Sequence, residues 1–439
     1  MRRLLTIAFD FPPRRTSGTY RITGLAKYIL RHDWEPCVLT VKGAAGAPED
    51  PELLQRIPSG VRVVRTGYLR VSGWEGTASR GARSLGVLRP KVDERHEPRM
   101  DRLLRSLGEF LRSCLYFPDE KIGWLPFALA RALRLRWEQG FDALYTTSPP
   151  RSALVIGLLL KVLFGVPWVA ELRDPWYPSR RTWRRRFERW LQMAIYRRAD
   201  ALVVMTNEHL KDLTGSYHVP ESKLVIIPNG YDEDDFSPDG ASPSFSLPTG
   251  YIHLSHFGAI YPNCSGGFFP VLAEVVQERP DLRERLRVNI FGFPDETVQR
   301  YAAHGGLEGI IQLHGFIRHS AALEAMQASD CLLLFLANPE MARLVVSAKT
   351  YEYLRVGRPI LAVAYEGGVK RLIEEGQAGW VVDPEDTQTM KQVLQTLLGE
   401  GRRKEEPRSV QADFVAQFRY DRLAGRLASV LDKVVSHVR

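Results

Sequence analysis

Cysteine is scarce in this chain. Four occur in 439 residues (Cys37, Cys114, Cys264 and Cys331), far apart and without a C-x-x-C pair. That spacing excludes a disulfide framework and a zinc motif, and it points to a reducing compartment. Long apolar runs are missing too. The most lipid-like stretch, residues 153–170, is interrupted by Lys161, Gly165 and Pro167. A helix followed by a buried strand is expected there rather than a membrane span. The opening residues, 1–10, hold too short an apolar run for a signal peptide and read as a first strand.

What is present is unevenly distributed. Residues 1–228 hold 38 Lys+Arg against 23 Asp+Glu, a net charge of +15, whereas the remainder is net −6. The excess is mostly arginine. It points to an anionic partner for the first half: a membrane surface, a lipid-linked phosphate or nucleic acid. No known nucleic-acid motif accompanies it, so a nucleic-acid partner is not expected. The length exceeds what one core normally serves, so two domains are expected.

Strand-like runs alternate with amphipathic segments, which predicts an α/β fold with parallel sheets and helices on both faces. The expected strands are 4–9, 36–41, 61–65, 143–146, 168–171, 201–205 and 224–227, then 252–257, 286–291, 310–313, 331–335, 360–363 and 379–382. Each half then forms a Rossmann-like unit. The expected domains are 1–228, containing a long irregular loop at 71–99, and 229–411, entered through a Pro/Ser-rich connector at 237–250. A terminal helix is expected over 412–435, within a final segment 412–439.

The most informative stretch is Ser347-Ala348-Lys349-Thr350-Tyr351-Glu352, followed by Gly357, Pro359 and an apolar strand. Ser347 suits an N-cap, and Gly357 with Pro359 is a stop signal. A helix N-terminus can hold a phosphate. Lys349 puts a cation where it opposes the helix dipole, an arrangement that an anion would justify. Glu352, one turn on, could accept from a ribose diol. A capped surface helix is the plainer alternative.

The segment resembles the donor-site helix of retaining GT-B glycosyltransferases, particularly glycosyltransferase family 4. The resemblance implies two Rossmann-like domains facing a central cleft, with the last helix crossing back to the first domain. It gives Glu352 the nucleotide ribose, and the amides of Ser347, Ala348 and Lys349 with the Lys349 ammonium are then expected to hold the diphosphate. Leu344 stands where the family has the first glutamate of its E-x7-E pair, and Glu340 is the other candidate for that carboxylate. Phe257-Gly258-Ala259 resembles the glycine turn beside the diphosphate; the arginine and lysine that often follow it are replaced by Asn263, Cys264 and Ser265. Phe316 and Ile317 match backbone that meets the base. Gly367 and Gly368 match a loop that completes the sugar pocket.

In the first half, Gly18 follows the first strand, with a helix expected from near Tyr20. By itself this is a strand-to-helix turn; by resemblance Gly18 approaches the donor phosphates. Glu171-Leu172-Arg173-Asp174-Pro175-Trp176 places three charges at the end of a buried strand, which is costly unless they are paired or useful. Asp174 could polarise an acceptor hydroxyl and Arg173 contact a phosphate, as catalytic residues. An Arg–Asp pair bracing the loop is the alternative. The acidic run 232–235 invites a metal, but it resembles the family's structural entry to the second domain, and no metal or other cofactor is expected. His253 and His256 are read as core or cleft lining.

Residues 178–191 form an arginine-rich helix with interleaved aromatics. Either it lies on an anionic membrane surface, or Trp183, Phe187, Trp190 and Leu191 face the core. The combined expectation is a cytoplasmic glycosyltransferase, peripheral on the inner face of the plasma membrane. It would move a sugar from a nucleotide diphosphate donor to a lipid-linked or polysaccharide hydroxyl acceptor in bacterial envelope assembly. A sugar-nucleotide epimerase on the same scaffold, a non-catalytic subunit and an RNA binder are the alternatives.

Overall fold

The structure is a computed structural model that describes residues 1–43, 49–69, 116–177, 182–236, 245–336, 343–399 and 412–438. The expected loop at 71–99 lies outside these residues. Every expected strand forms, with ends shifted by a residue or two. The first sheet comprises β1 (Arg2–Ile7), β2 (Trp34–Val41), β3 (Arg62–Thr66), β4 (Ala143–Ser148), β5 (Trp168–Leu172), β6 (Ala201–Val204) and β7 (Leu224–Ile226). The second comprises β8 (Ile252–Phe257), β9 (Leu286–Phe291), β10 (Ile311–Gly315), β11 (Cys331–Leu336), β12 (Ile360–Ala364) and β13 (Gly379–Val382).

The sheet orders are β3-β2-β1-β4-β5-β6-β7 and β10-β9-β8-β11-β12-β13. All pairings of the second sheet are parallel. So are β1 with β2 and β4, β2 with β3, and β4 with β5. Both sheets therefore reverse direction of strand order beside their first strand, as doubly wound folds do. By contact the chain divides into two compact units, Met1–Val203 with Ala428–Arg439, and Val204–Leu427.

The second sheet shows why its strands read as unbroken apolar runs. Side chains alternate between faces with period two. Cys331, Leu333 and Phe335 enter one core with Leu361 and Val363. Leu332 and Leu334 enter the opposite core with Ile360 and Ala362. Both faces of β11 and β12 are covered, and these two strands are apolar throughout. The lipid-like stretch resolves as expected: a helix over Arg151–Phe164 ends on Gly165 at φ 67° and is followed by β5. Among the described residues, no helix is long and apolar enough to cross a membrane.

The terminal segment departs from expectation. It forms two helices, Ala412–Ala416 and Tyr420–Val438, rather than one. The break is pulled open by Tyr231, whose N–H donates to the Phe418 carbonyl at 3.1 Å and whose carbonyl accepts from Tyr420 at 3.0 Å. The last turns, from Ala428, belong to the first unit. There Asp432 accepts from Trp34 Nε1 at 2.8 Å and pairs with Arg2 at 2.7 Å.

One buried ion pair ties β5 to the first helix. Glu171 is fully buried, and Arg21 holds it through Nη2 at 2.7 Å and Nε at 2.9 Å. Tyr145 and Thr147 donate to the same carboxylate at 2.5 and 2.6 Å. Burial alone would raise the Glu171 pKa; the Arg21 charge and these hydrogen bonds outweigh it, and the carboxyl titrates below its usual range. The stability this contributes is present above the ordinary carboxylate pKa. It is lost as pH falls through the lowered folded value. Arg21→Met strands a buried carboxylate and should lower stability by about 3–5 kcal/mol in urea titrations at neutral pH. Adding Glu171→Leu should recover most of that loss.

Candidate functional site

Ligands of doubly wound sheets bind beyond the carboxyl ends of the strands, where the strand order reverses. In the second unit that place lies beside β8 and β11. Gly258 follows β8 with φ 106°, and its N–H donates to the Phe291 carbonyl at 2.7 Å. Gly292 follows β9 with φ 133°, and a Cβ there would overlap the Gly258 carbonyl. Two glycines thus let the strand ends meet backbone to backbone.

The segment after β11 leads into the helix Ala348–Val356. Thr206 pins it, its Oγ1 donating to the Leu344 carbonyl at 2.8 Å. The residue at the missing glutamate's place therefore works through its backbone; Glu340 lies outside the described residues. Ser347 occupies the N-cap in extended conformation, but its hydroxyl makes no capping hydrogen bond. Here the expectation is corrected in detail: the first-turn amides are not satisfied by a capping side chain.

Lys349 is half-buried in that first turn, its Nζ 3.4 Å from His256 Nε2. A Cβ on Gly258 would lie 2.9 Å from the same Nζ. Burial lowers the Lys349 pKa to about 8, against the opposing influence of Glu352 and Cys264. Glu352 is partly exposed, and its Oε1 lies 3.7 Å from His319 Nε2. His319 also meets Asp235 at 3.4 Å. It opens the helix His319–Ala328, directly after Phe316-Ile317-Arg318. Phe316 is exposed and set edge-on to Phe293, with ring centroids 4.4 Å apart; Ile317 packs partly into the core. Gly367 caps the helix Gly368–Glu375, and a Cβ on Gly368 would come within 2.9 Å of Val346, one residue before Ser347. Gly258 thus meets Lys349, Gly368 meets the residue before Ser347, and Glu352 meets His319, which follows Phe316 and Ile317 in the chain.

The first unit assembles the other predicted residues. The helix Ser17–Ile29 begins earlier than expected, with Thr16 as its cap accepting from Thr19 N–H at 3.3 Å. Gly18 thus lies in its first turn, not in a loop. A Cβ on Gly18 would collide with the Arg173 guanidinium. Arg173 Nη2 donates to the Pro149 carbonyl at 2.7 Å, while its Nε is buried without a hydrogen-bond partner. Among the described residues, no ion pair joins Arg173 to Asp174. Asp174 keeps an open edge to solvent, yet protein packed around its carboxyl raises its pKa, and Arg173 opposes this. Of the three charges at this strand end, Glu171 and Arg173 are buried and Asp174 is exposed.

Other expectations separate clearly. The acidic run is structural: Glu233 pairs with Arg355 at 3.0 Å, and Asp232 Oδ1 accepts from Asp234 N–H at 3.2 Å. Among the described residues, no group of three or more His, Cys, Asp or Glu could hold a metal ion. His253 and His256 are both buried. The arginine-rich helix runs over Thr182–Arg198. Leu191 faces the core, but Phe187 and Trp190 are 58% and 66% exposed, which goes against the inward-packing alternative for those two residues. The buried stripe is instead polar in part. Glu188 pairs with Arg184 at 2.9 Å, and Gln192 donates to the Trp176 carbonyl at 2.6 Å. Sequence reasoning also missed His319 and Thr206, whose partners lie 33 and 138 residues away.

Two parallel sheets of Rossmann-like order constitute the GT-B architecture. The chain is a GT-B protein of the glycosyltransferase family 4 type. Residues 18–230 match the glycosyl transferase 4-like domain, and residues 264–400 match the glycosyl transferases group 1 family. D-inositol 3-phosphate glycosyltransferase from Streptomyces scabiei is 24% identical over 212 residues, 46% of this chain and 46% of that protein. The chain spans about half the length of the curated relatives it matches first. Among solved structures, sucrose-phosphate synthase from Thermosynechococcus elongatus superposes with a TM-score of 0.63 at 13% identity, covering 100% of both chains. Anabaena HepE in complex with UDP gives 0.62 at 15% identity, covering 99% of this chain and 100% of that one.

A methyl group at position 258 would meet both a positive φ and the Lys349 ammonium. Gly258→Ala should therefore cost about 1–3 kcal/mol of stability, read by urea titration.

Proposed function

We propose that the chain is a glycosyltransferase that takes a sugar from a nucleotide diphosphate donor held by the second unit and passes it to a hydroxyl acceptor. One observation carries the reading: Lys349, an uncapped helix N-terminus, the Gly258 turn and Glu352 occur together at the switch point of one sheet. Amides and an ammonium suit a diphosphate. Glu352 suits the ribose diol beside it, and the Phe293–Phe316 pair offers an apolar surface near the base. The UDP held by Anabaena HepE supports this donor class.

The reading extends to a retaining reaction. The bond from the sugar's anomeric carbon to the diphosphate breaks, and a bond to the acceptor oxygen forms on the same face. The acceptor proton passes to the departing phosphate. Lys349 and the helix amides stabilise the charge that develops there. No bound metal is needed for this role. Asp174, its pKa raised by surrounding protein, orients the acceptor hydroxyl in the first unit, and Arg173 with the Gly18 turn offers a phosphate contact.

The acceptor is read as lipid-linked, in envelope glycan assembly. Arg185, Arg186 and Arg189 are exposed beside Phe187 and Trp190 on the helix Thr182–Arg198. Rings at headgroup depth with guanidinium groups among anionic phosphates is the arrangement of an interfacial helix. The net +15 of residues 1–228 agrees.

Thermal shift against a panel of nucleotide sugars should identify the donor, followed by nucleoside diphosphate release with membrane extract added. Glu352→Leu should weaken UDP or GDP about tenfold while leaving inorganic pyrophosphate unaffected. Asp174→Asn should lower turnover far more than donor affinity; equal losses would assign it a bracing role. Flotation with vesicles should require anionic lipid and fall in Phe187→Ser/Trp190→Ser. Binding indifferent to lipid charge would argue against the interfacial helix.

A further inference from the structure

Lys349 sits where its own helix dipole opposes it, so the direction in which its ammonium points must be fixed by something else. The neighbouring strand supplies the partner. His256, on β8, is 1% exposed and stacks on Phe335 with centroids 5.0 Å apart and planes at 21°. Its Nδ1 lies 3.0 Å from the Leu333 carbonyl oxygen. A carbonyl only accepts and an ammonium only donates, so the ring proton is assigned to Nδ1, beside Leu333, and the lone pair to Nε2, beside Lys349. That Nε2 is the atom 3.4 Å from Lys349 Nζ. The lysine donates and the imidazole accepts. On the other side, the missing side chain of Gly258 leaves Nζ open to the turn.

We propose that His256 is a positioning residue of the donor site: a neutral imidazole that aims the Lys349 ammonium at a diphosphate beside the Gly258 turn and makes binding of that anion proton-linked. The proposal rests on the reading of Lys349 as the phosphate-binding cation. The groups that face the pair are few. Glu352, on the same helix, and Cys264, from the segment after β8, act on Lys349. The carbonyls of Leu333 and Ala259 face His256. Burial first, and then the Lys349 charge, hold His256 far below the usual histidine range. It therefore stays an acceptor across neutral pH. Lys349, with its pKa lowered to about 8, loses charge in the free protein as pH rises through that value. An incoming diphosphate favours the charged form, so binding near and above that pH takes up a proton.

The test is titration calorimetry with UDP and with inorganic pyrophosphate, from pH 6.5 to 9.5 (~0.5-unit steps), in buffers of differing ionisation enthalpy. Wild type should bind more weakly above about pH 8 and show proton uptake. Lys349→Met should weaken binding and abolish the uptake. His256→Phe keeps a ring against Phe335 but loses the acceptor; it should weaken binding about tenfold and displace the pH midpoint. His256→Gln, which returns an oxygen near the Nε2 position, should recover most of the affinity. If thermal melts show His256→Phe unfolded, His256→Asn replaces it, since its side chain falls short of Lys349. Unchanged binding in Lys349→Met, or no binding by wild type, would defeat the donor-site reading and this proposal with it. Weakened binding in Lys349→Met, with wild-type affinity and pH midpoint in His256→Phe or the folded His256→Asn, would overturn the positioning role alone.

Discussion

The second unit is organised around one unfavourable placement, a lysine in the first turn of the helix Ala348–Val356. A cation there is repelled by the amide end of its own helix. It is further penalised by partial burial, which is why its pKa falls to about 8. The surrounding structure makes this placement tolerable without neutralising it. His256 accepts from the ammonium, and no side chain caps the helix. Glu352 lies one turn further along and leans toward His319 instead of closing on the lysine. What remains is a concentration of positive potential at the end of a sheet, the condition an anion site requires.

The sheet makes that concentration possible. Parallel strands fully covered on both faces leave only their ends for polar chemistry. β8 and β11 part at the switch point, and Gly258 and Gly292 let backbone meet backbone beside it. The same logic holds in the first unit, where Gly18 follows β1, Pro149 follows β4 and Arg173 follows β5. There the guanidinium occupies the space a side chain at Gly18 would take. Each unit thus uses a glycine to admit one cation close to its strand ends.

What could be read from the sequence followed from this architecture. The strands were legible because burial on both faces writes them as continuous apolar runs. The helix at 348 was legible because its start, its stop and its misplaced lysine are all local. Side-chain partners were not. Arg21 and Glu171 are 150 residues apart, and nothing near either names the other. The helix Thr182–Arg198 is the sharpest case. Its aromatic spacing suits an inward stripe, yet the inward stripe contains Glu188 and Gln192. Glu188 pairs there with Arg184, and Gln192 donates to the Trp176 carbonyl. Hydrophobic periodicity assumes that polar residues lose by burial, and that assumption fails wherever a partner is waiting. The split terminal helix has the same origin, since Tyr231 competes for the backbone groups that would have continued it.

The departures from the family pattern form a coherent set on physical grounds. The arginine and lysine that commonly follow the glycine turn are replaced by Asn263, Cys264 and Ser265. The glutamate expected at 344 is replaced by a leucine whose carbonyl is engaged by Thr206. Removing two cations and one carboxylate together changes the local charge less than removing the two cations alone would. It also leaves Lys349 with fewer competing charges, so burial dominates its ionisation. A site with several clamping cations would bind a diphosphate with little dependence on the state of any one. A site that relies on a single half-buried lysine depends on how that lysine is held. This is why a neutral, fully buried histidine beside it carries more weight here than a histidine in a sheet core ordinarily would.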